Sequence, residues 1–242
     1  MRTLATLPDH AHAGALARHL FGADVAVASL DPRVDHGDVW NDEWPVIEGA
    51  VARRQLEYAA GRSAARQAMA SLGVDAAAIP SAEDRAPMWP RNLVGSISHC
   101  ATACVAVVAR SSEVASLGID IEQIETFDEQ YLDIVCTGVE SDWLRAQHPA
   151  QFAQFATLVF SAKECAYKCQ YPFTHQLFGF ECMTVEIDIG AMRFATIFNR
   201  AIGEFRAGHR LTGRFAVGAG MVLTGMTMRQ PDLPRIPEGW AR

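Results

Sequence analysis

A chain of 242 residues, half of them hydrophobic and a fifth charged, can bury a core as one large domain or as two modest ones packed together. Its formal net charge of −7 argues against general nucleic-acid binding, which favours a basic surface. No apolar run approaches the roughly 20 residues of a membrane-spanning helix, and Met1–Leu20 carries Asp9, three histidines and two arginines where a secretory leader would be apolar. The expected compartment is therefore the cytoplasm.

Residues 45–72 are expected to form a helix. Pro45 stands near its start, Ala, Leu, Tyr and Met recur at three- and four-residue steps, and Gly73 ends it. Arg53, Arg54, Arg62 and Arg66 fall in this stretch against a single acid, Glu57, a local basic patch suited to phosphates. A loop from Pro80 to Pro90 follows, then a small-residue turn, Gly95-Ser96-Ile97-Ser98-His99, and a strand over 101–108. Leu117–Ile121 alternates and is short, as a strand should be. Helices are expected at 138–148 and 150–170, the second stopped by Pro172. Strands at 184–189, 194–198, 214–219 and 221–228 come next, and the proline-bearing tail from Pro231 reads as an irregular extension. Each half thus offers a long helix followed by strands, although the two halves share almost no sequence identity.

The six cysteines include no CxxC pair and no histidine at zinc-finger spacing, so a structural zinc site is not expected and the thiols suit a reducing compartment.

Asp120 and Glu122 lie two apart on the expected strand, which places both carboxylates on one face. Partly desolvated, such a pair repels by several kcal/mol, which an arginine, a shifted pKa or a divalent cation can relieve. Magnesium suits the layout, since it takes one or two carboxylates and leaves places for water and phosphate oxygens. The bland alternative is a solvated strand face. Glu164 and Lys168 are one turn apart on the expected helix, a spacing common in exposed stabilising pairs. Here, however, Lys163, Glu164 and Lys168 are almost the only charges on an apolar helix, which favours a site. His99 alone reads as a packed or capping residue; its weight comes from its neighbours.

These segments, in this order, resemble the 4′-phosphopantetheinyl transferases, in particular the long single-chain kind that serves siderophore and surfactin-like synthetases. The carriers of the likeness are Gly95–His99, Gly118-Ile119-Asp120-Ile121-Glu122, and Phe160-Ser161-Ala162-Lys163-Glu164-Cys165-Ala166-Tyr167-Lys168, with Phe160 where many relatives have tryptophan. Arg54–Arg62 is similar to the family's R-x-x-E-F/Y-x-x-x-R helix, Arg85–Pro90 to its P-x-W-P loop, and Leu177–Glu181 to a stretch after its catalytic helix. The resemblance covers roughly residues 50–185.

The resemblance implies an α+β fold: a pseudo-two-fold pair of similar subdomains, each a long helix on an antiparallel sheet, with the active site in the cleft between them. The boundary is expected between 1–112 and 113–242. It implies transfer of the phosphopantetheine arm of coenzyme A to a serine of an acyl or peptidyl carrier protein. Asp120, Glu122 and Glu164 are the implied ligands of magnesium (or of manganese in its place), with Glu164 also the base. Arg54, Arg62 and Arg85 are expected at the nucleotide end of coenzyme A, and Ser98, His99, Lys163 and Lys168 near its pyrophosphate. A monomer is expected, with no membrane or nucleic-acid partner. Two rival readings use the same residues: a magnesium-dependent phosphohydrolase, and a non-catalytic module that binds coenzyme A or a carrier.

Overall fold

The computed structural model describes residues 8–37, 39–125 and 131–232. The long helix of the first half, α2, runs over Ala52–Ser71. It starts later than expected because Gly49, at φ 77°, turns the chain between a short 3-10 turn at Trp44–Val46 and the helix proper. It stops where expected. The amide of Gly73 donates to the Ala70 carbonyl and that of Val74 to the Met69 carbonyl, which satisfies two of the helix's open carbonyls. Alanines Ala60, Ala64, Ala65 and Ala68 form its buried face, so it lies close on the sheet beneath.

That sheet is three-stranded and antiparallel, in the order β1 (Val25–Leu30), β3 (Cys104–Arg110), β2 (Leu93–His99). Here the structure corrects the sequence reading: Gly95–His99 is the end of strand β2, not a turn, because its small residues pair in register with β3 from Leu93↔Arg110 to His99↔Cys104. The strand expected over 101–108 begins only at Cys104. The second sheet has five antiparallel strands in the order β4 (Ser116–Gln123), β8 (Met221–Met228), β7 (Arg210–Gly218), β6 (Arg193–Phe198), β5 (Met183–Asp188). Its helix, α5, spans Phe152–Thr174. Pro172 does not stop it: the proline lies in the last turn, where its missing N–H frees only the Lys168 carbonyl, and the helix ends at His175 in a left-handed cap. Short helices α3 (Leu132–Val135) and α4 (Gly138–Arg145) precede α5, and α4 opens with a capping box between Thr137 and Glu140.

The fold is α+β, with a long helix on each of two antiparallel sheets, as expected. The sheets are unequal, and they meet where β2 packs against β4. Three elements were not foreseen: the short helix α3, strand β1, and the helix α1 (Asp9–Leu20), whose buried Ala13, Ala17 and Leu20 pack on strands of both sheets. The core is therefore continuous across the join: Val105 and Val107 of one sheet cluster with Leu117, Ile119, Ile121 and Leu223 of the other. Among the described residues the cysteines are free, and no helix is long and apolar enough to cross a membrane. The tail beyond Asp232, expected to be irregular, lies outside the described residues.

Candidate active site

Strand β4 buries Leu117, Ile119 and Ile121 in the core shared with α1 and turns the alternate residues Gly118, Asp120 and Glu122 the other way, towards α5. Gly118 is the reason α5 can come so near: a β-carbon there would stand 2.2 Å from the Cys165 carbonyl oxygen. Contact at that point holds the next helical face, Glu164 and Lys168, over Asp120. From the first half, β2 brings Ser98 and His99 to the same place, and α2 brings Arg54, Glu57, Tyr58 and Arg62.

These side chains line a cavity of about 530 Å³ between the two halves, together with Arg85 and with Phe160 of α5. At its floor Asp120, 2 % exposed, accepts from Lys168 Nζ at 2.6 Å and from Ser98 Oγ at 2.8 Å through the same oxygen, Oδ1. Lys168 Nζ also reaches Ser98 Oγ at 3.0 Å. Burial alone would lower the Lys168 pKa, yet the Asp120 charge and hydrogen bond raise it, so the ammonium stays charged. The second oxygen of Asp120, Oδ2, is buried and has no hydrogen-bond partner. Such an orphaned acceptor is costly unless something fills it.

The neighbouring carboxylates are crowded. Burial first, then the Asp120 charge, pushes the Glu122 carboxyl up to about 8, against the opposing pull of Lys168. Glu164 is raised by burial and by Asp120, with Lys168 again opposing. At the far wall Arg54 Nη1 lies 3.0 Å from His99 Nε2. Arginine can only donate, so that nitrogen accepts and the proton of a neutral imidazole sits on Nδ1. Burial lowers the His99 pKa; Glu57, 3.9 Å away, opposes this, and Arg54 and Lys168 reinforce it.

The second-half positions of this cavity fall within residues 116–214, which match the family model described as the 4′-phosphopantetheinyl transferase superfamily. Residues 42–109 match that of the 4′-phosphopantetheinyl transferase N-terminal domain. The chain is 38 % identical to the 4′-phosphopantetheinyl transferase Npt of Nocardia iowensis over 60 % of this chain and 66 % of that protein. It is 33 % identical to PptT of Mycobacterium tuberculosis over 77 % of this chain and 85 % of that one. The chain belongs to the 4′-phosphopantetheinyl transferase superfamily. Members transfer phosphopantetheine from coenzyme A to a carrier-protein serine, and this chain is an enzyme of that class. It is also 37 % identical to enterobactin synthase component D of Escherichia coli, over 54 % of this chain and 61 % of that protein.

Nine of the ten site positions expected of this transferase line the one cavity: Arg54, Arg62, Arg85, Ser98, His99, Asp120, Glu122, Glu164 and Lys168. Lys163 does not, and its expected contact with pyrophosphate is corrected. Its ammonium, on a side chain 1 % exposed, turns away from that cavity and bonds Glu140 Oε2 at 2.7 Å, the Val135 carbonyl at 2.7 Å and the Phe180 carbonyl at 3.1 Å. It is a structural clamp. Arg62 is half a clamp as well: buried over the Tyr58 ring, it donates to the Ile79 carbonyl at 2.7 Å and to Ser81 Oγ at 2.9 Å. Arg66 is wholly so, paired with buried Glu43 at 2.7 Å. The basic patch thus reduces to Arg53 and Arg54 at the surface. Glu57, Tyr58 and Ser81 had not been singled out as cavity residues. The first two were readable from their three- and four-residue steps from Arg54 along one helical face.

The three carboxylates face one cavity but do not enclose an ion as they stand: among the described residues no group of three His, Cys, Asp or Glu side chains is gathered tightly enough. Lys168 takes the inner oxygen of Asp120. The donor set nonetheless fits a hard cation, with only oxygens on offer, one buried acceptor unfilled, and two further acids held above their ordinary range by burial and by the Asp120 charge.

Proposed function

We propose that this transferase receives coenzyme A along the cavity, its nucleotide end among Arg54, Arg62 and Arg85 and its pyrophosphate between Ser98, His99 and Lys168. It works as a cytoplasmic monomer on an acyl or peptidyl carrier protein of a siderophore-type or related synthetase, with the halves 1–112 and 113–242 forming the two walls. The observation that carries the reading is the unfilled Oδ2 of Asp120 beside the charged Lys168, with Glu122 and Glu164 crowded against them. Magnesium, or manganese in its place, would be held by Asp120, Glu122 and Glu164 and would neutralise charge on the pyrophosphate.

The chain's own groups do the rest. Lys168, kept charged by Asp120, donates to a pyrophosphate oxygen and offsets the charge that builds on the leaving adenosine 3′,5′-bisphosphate. Arg54 meets phosphate with its planar fork, and by donating to His99 Nε2 it fixes the imidazole as the neutral Nδ1–H form. Glu164 takes the proton of the attacking serine hydroxyl.

The test is the intact mass of a purified apo-carrier incubated with the protein, coenzyme A and magnesium. The wild-type protein should add one phosphopantetheine, and Glu164→Gln should add none while keeping its fold. Unchanged modification by the variant would remove Glu164 as base. Phosphate release without a carrier would favour the hydrolase.

A further inference from the structure

Ser81, Arg85 and Pro87 of the cavity lining belong to a loop that the two halves hold jointly. Residues 80–88 form a compact turn: Ala82 N donates to the Ala86 carbonyl at 2.9 Å, Arg85 N to the Ala82 carbonyl at 2.9 Å, and Met88 N to the Pro80 carbonyl at 2.8 Å. Its base is tied to α2, through Arg62 to Ile79 and Ser81 and through the Tyr58 hydroxyl, 3.3 Å from Ser81 Oγ. Its tip reaches the other half. Asp84 accepts from Ala86 N at 2.9 Å with Oδ1, and with Oδ2 it accepts a short hydrogen bond from the hydroxyl of Tyr171 on α5.

Two further observations give this contact a purpose. Arg85, next to Asp84, sits at φ 70°, a left-handed conformation that a side-chain-bearing residue adopts only at a cost. It lines the cavity, and among the described residues it forms no ion pair. Tyr171 is itself held: its ring lies 5.6 Å from that of Tyr167 and meets His175 edge-on at 5.6 Å. It stands one turn beyond Lys168 on the α5 face that carries Glu164.

Resting on the coenzyme A reading above, we propose that Tyr171 and Asp84 are positioning residues. Their clasp across the cleft pins the loop tip to α5 and holds Arg85, in its costly backbone conformation, facing the anionic substrate. Neither residue touches the reacting atoms. The clasp should therefore act on substrate binding and leave the chemical step alone.

A kinetic cycle tests this. Tyr171→Phe keeps the ring between its aromatic neighbours and removes only the hydroxyl. It should raise KM for coenzyme A about fivefold to tenfold, the size of one ordinary solvent-exposed hydrogen bond lost, with kcat within about twofold of wild type. Arg85→Gln should raise KM by at least as much. Combined with it, Tyr171→Phe should add almost nothing, because the group it positions is gone. Limited trypsin treatment should also cut Arg85–Ala86 faster in Tyr171→Phe than in wild type.

An unchanged KM and cleavage rate in Tyr171→Phe would overturn the clasp. So would a full second KM penalty in the double variant, which would mean that Tyr171 acts through something other than Arg85. A wild-type protein that transfers nothing to any apo-carrier would instead overturn the coenzyme A reading. Cleavage at Arg85–Ala86 would still report on the clasp.

Discussion

Glu122 is the most exposed to test of the three carboxylates, because its crowding has a measurable cost in the metal-free protein. Its carboxyl rises from the ordinary 4.5 to about 8, first through burial and then through Asp120. The folded state therefore keeps a proton that the unfolded chain releases near 4.5. The folded state binds more protons through that window, so stability falls as pH climbs from about 4.5 to about 8 and stays reduced above it. At full strength the difference corresponds to roughly 5 kcal/mol, at about 1.4 kcal/mol for each tenfold change in proton affinity. Glu122 keeps partial contact with water and shares its field with Lys168, so about 2 kcal/mol is the expected size. Glu122→Gln removes the charge and keeps the shape. In EDTA it should unfold at higher urea than wild type at pH 9 by about 2 kcal/mol, and at nearly the same urea at pH 4. Added magnesium should narrow the gap at pH 9, because it stabilises the acid and not the amide. A variant no more stable than wild type at pH 9 would refute the crowding, and with it the need for a cation there.

Lys163 and Gly118 give two further checks. Lys163→Met leaves Glu140 buried without its cation and should cost about 3–5 kcal/mol of stability, read by urea melts, while coenzyme A still binds to the folded fraction. Loss of coenzyme A binding without loss of stability would return Lys163 to the pyrophosphate. Gly118→Ala places a β-carbon 2.2 Å from the Cys165 carbonyl oxygen and must push α5 off β4. It should lower both stability and transfer, the latter more than tenfold, as expected when a catalytic pair shifts by about 1 Å. Full activity in that variant would show that α5 can move without disturbing the site.

The site was legible in the sequence to the extent that periodicity decides geometry. Period two on β4 puts Asp120 and Glu122 on one face, and the i,i+4 step on α5 puts Glu164 above Lys168; both hold. What failed was settled by contacts between residues far apart in sequence. Lys163 looked like a site cation because its partner Glu140 lies 23 residues earlier, on a different helix, and no spacing rule joins the two. Arg66 looked free for the same reason, its partner Glu43 being 23 residues upstream. Gly95–His99 looked like a turn because Gly and Ser are poor strand formers, but pairing with β3 overrode that preference. Helix α1 was missed because its buried face is small alanines, and its place is fixed by strands of both sheets. The helix α5, judged to end before Pro172, gained a last turn because a proline there loses a single bond.

The central claim is that acids from β4 and α5 converge on one divalent ion at the coenzyme A pyrophosphate. Manganese titration followed by electron paramagnetic resonance, with coenzyme A present, tests it most directly. The account expects one bound ion per chain in the wild-type protein, markedly weaker binding in Glu122→Gln, and none in a folded Asp120→Asn. Undiminished binding in both variants, or no bound ion in the wild type, would contradict it.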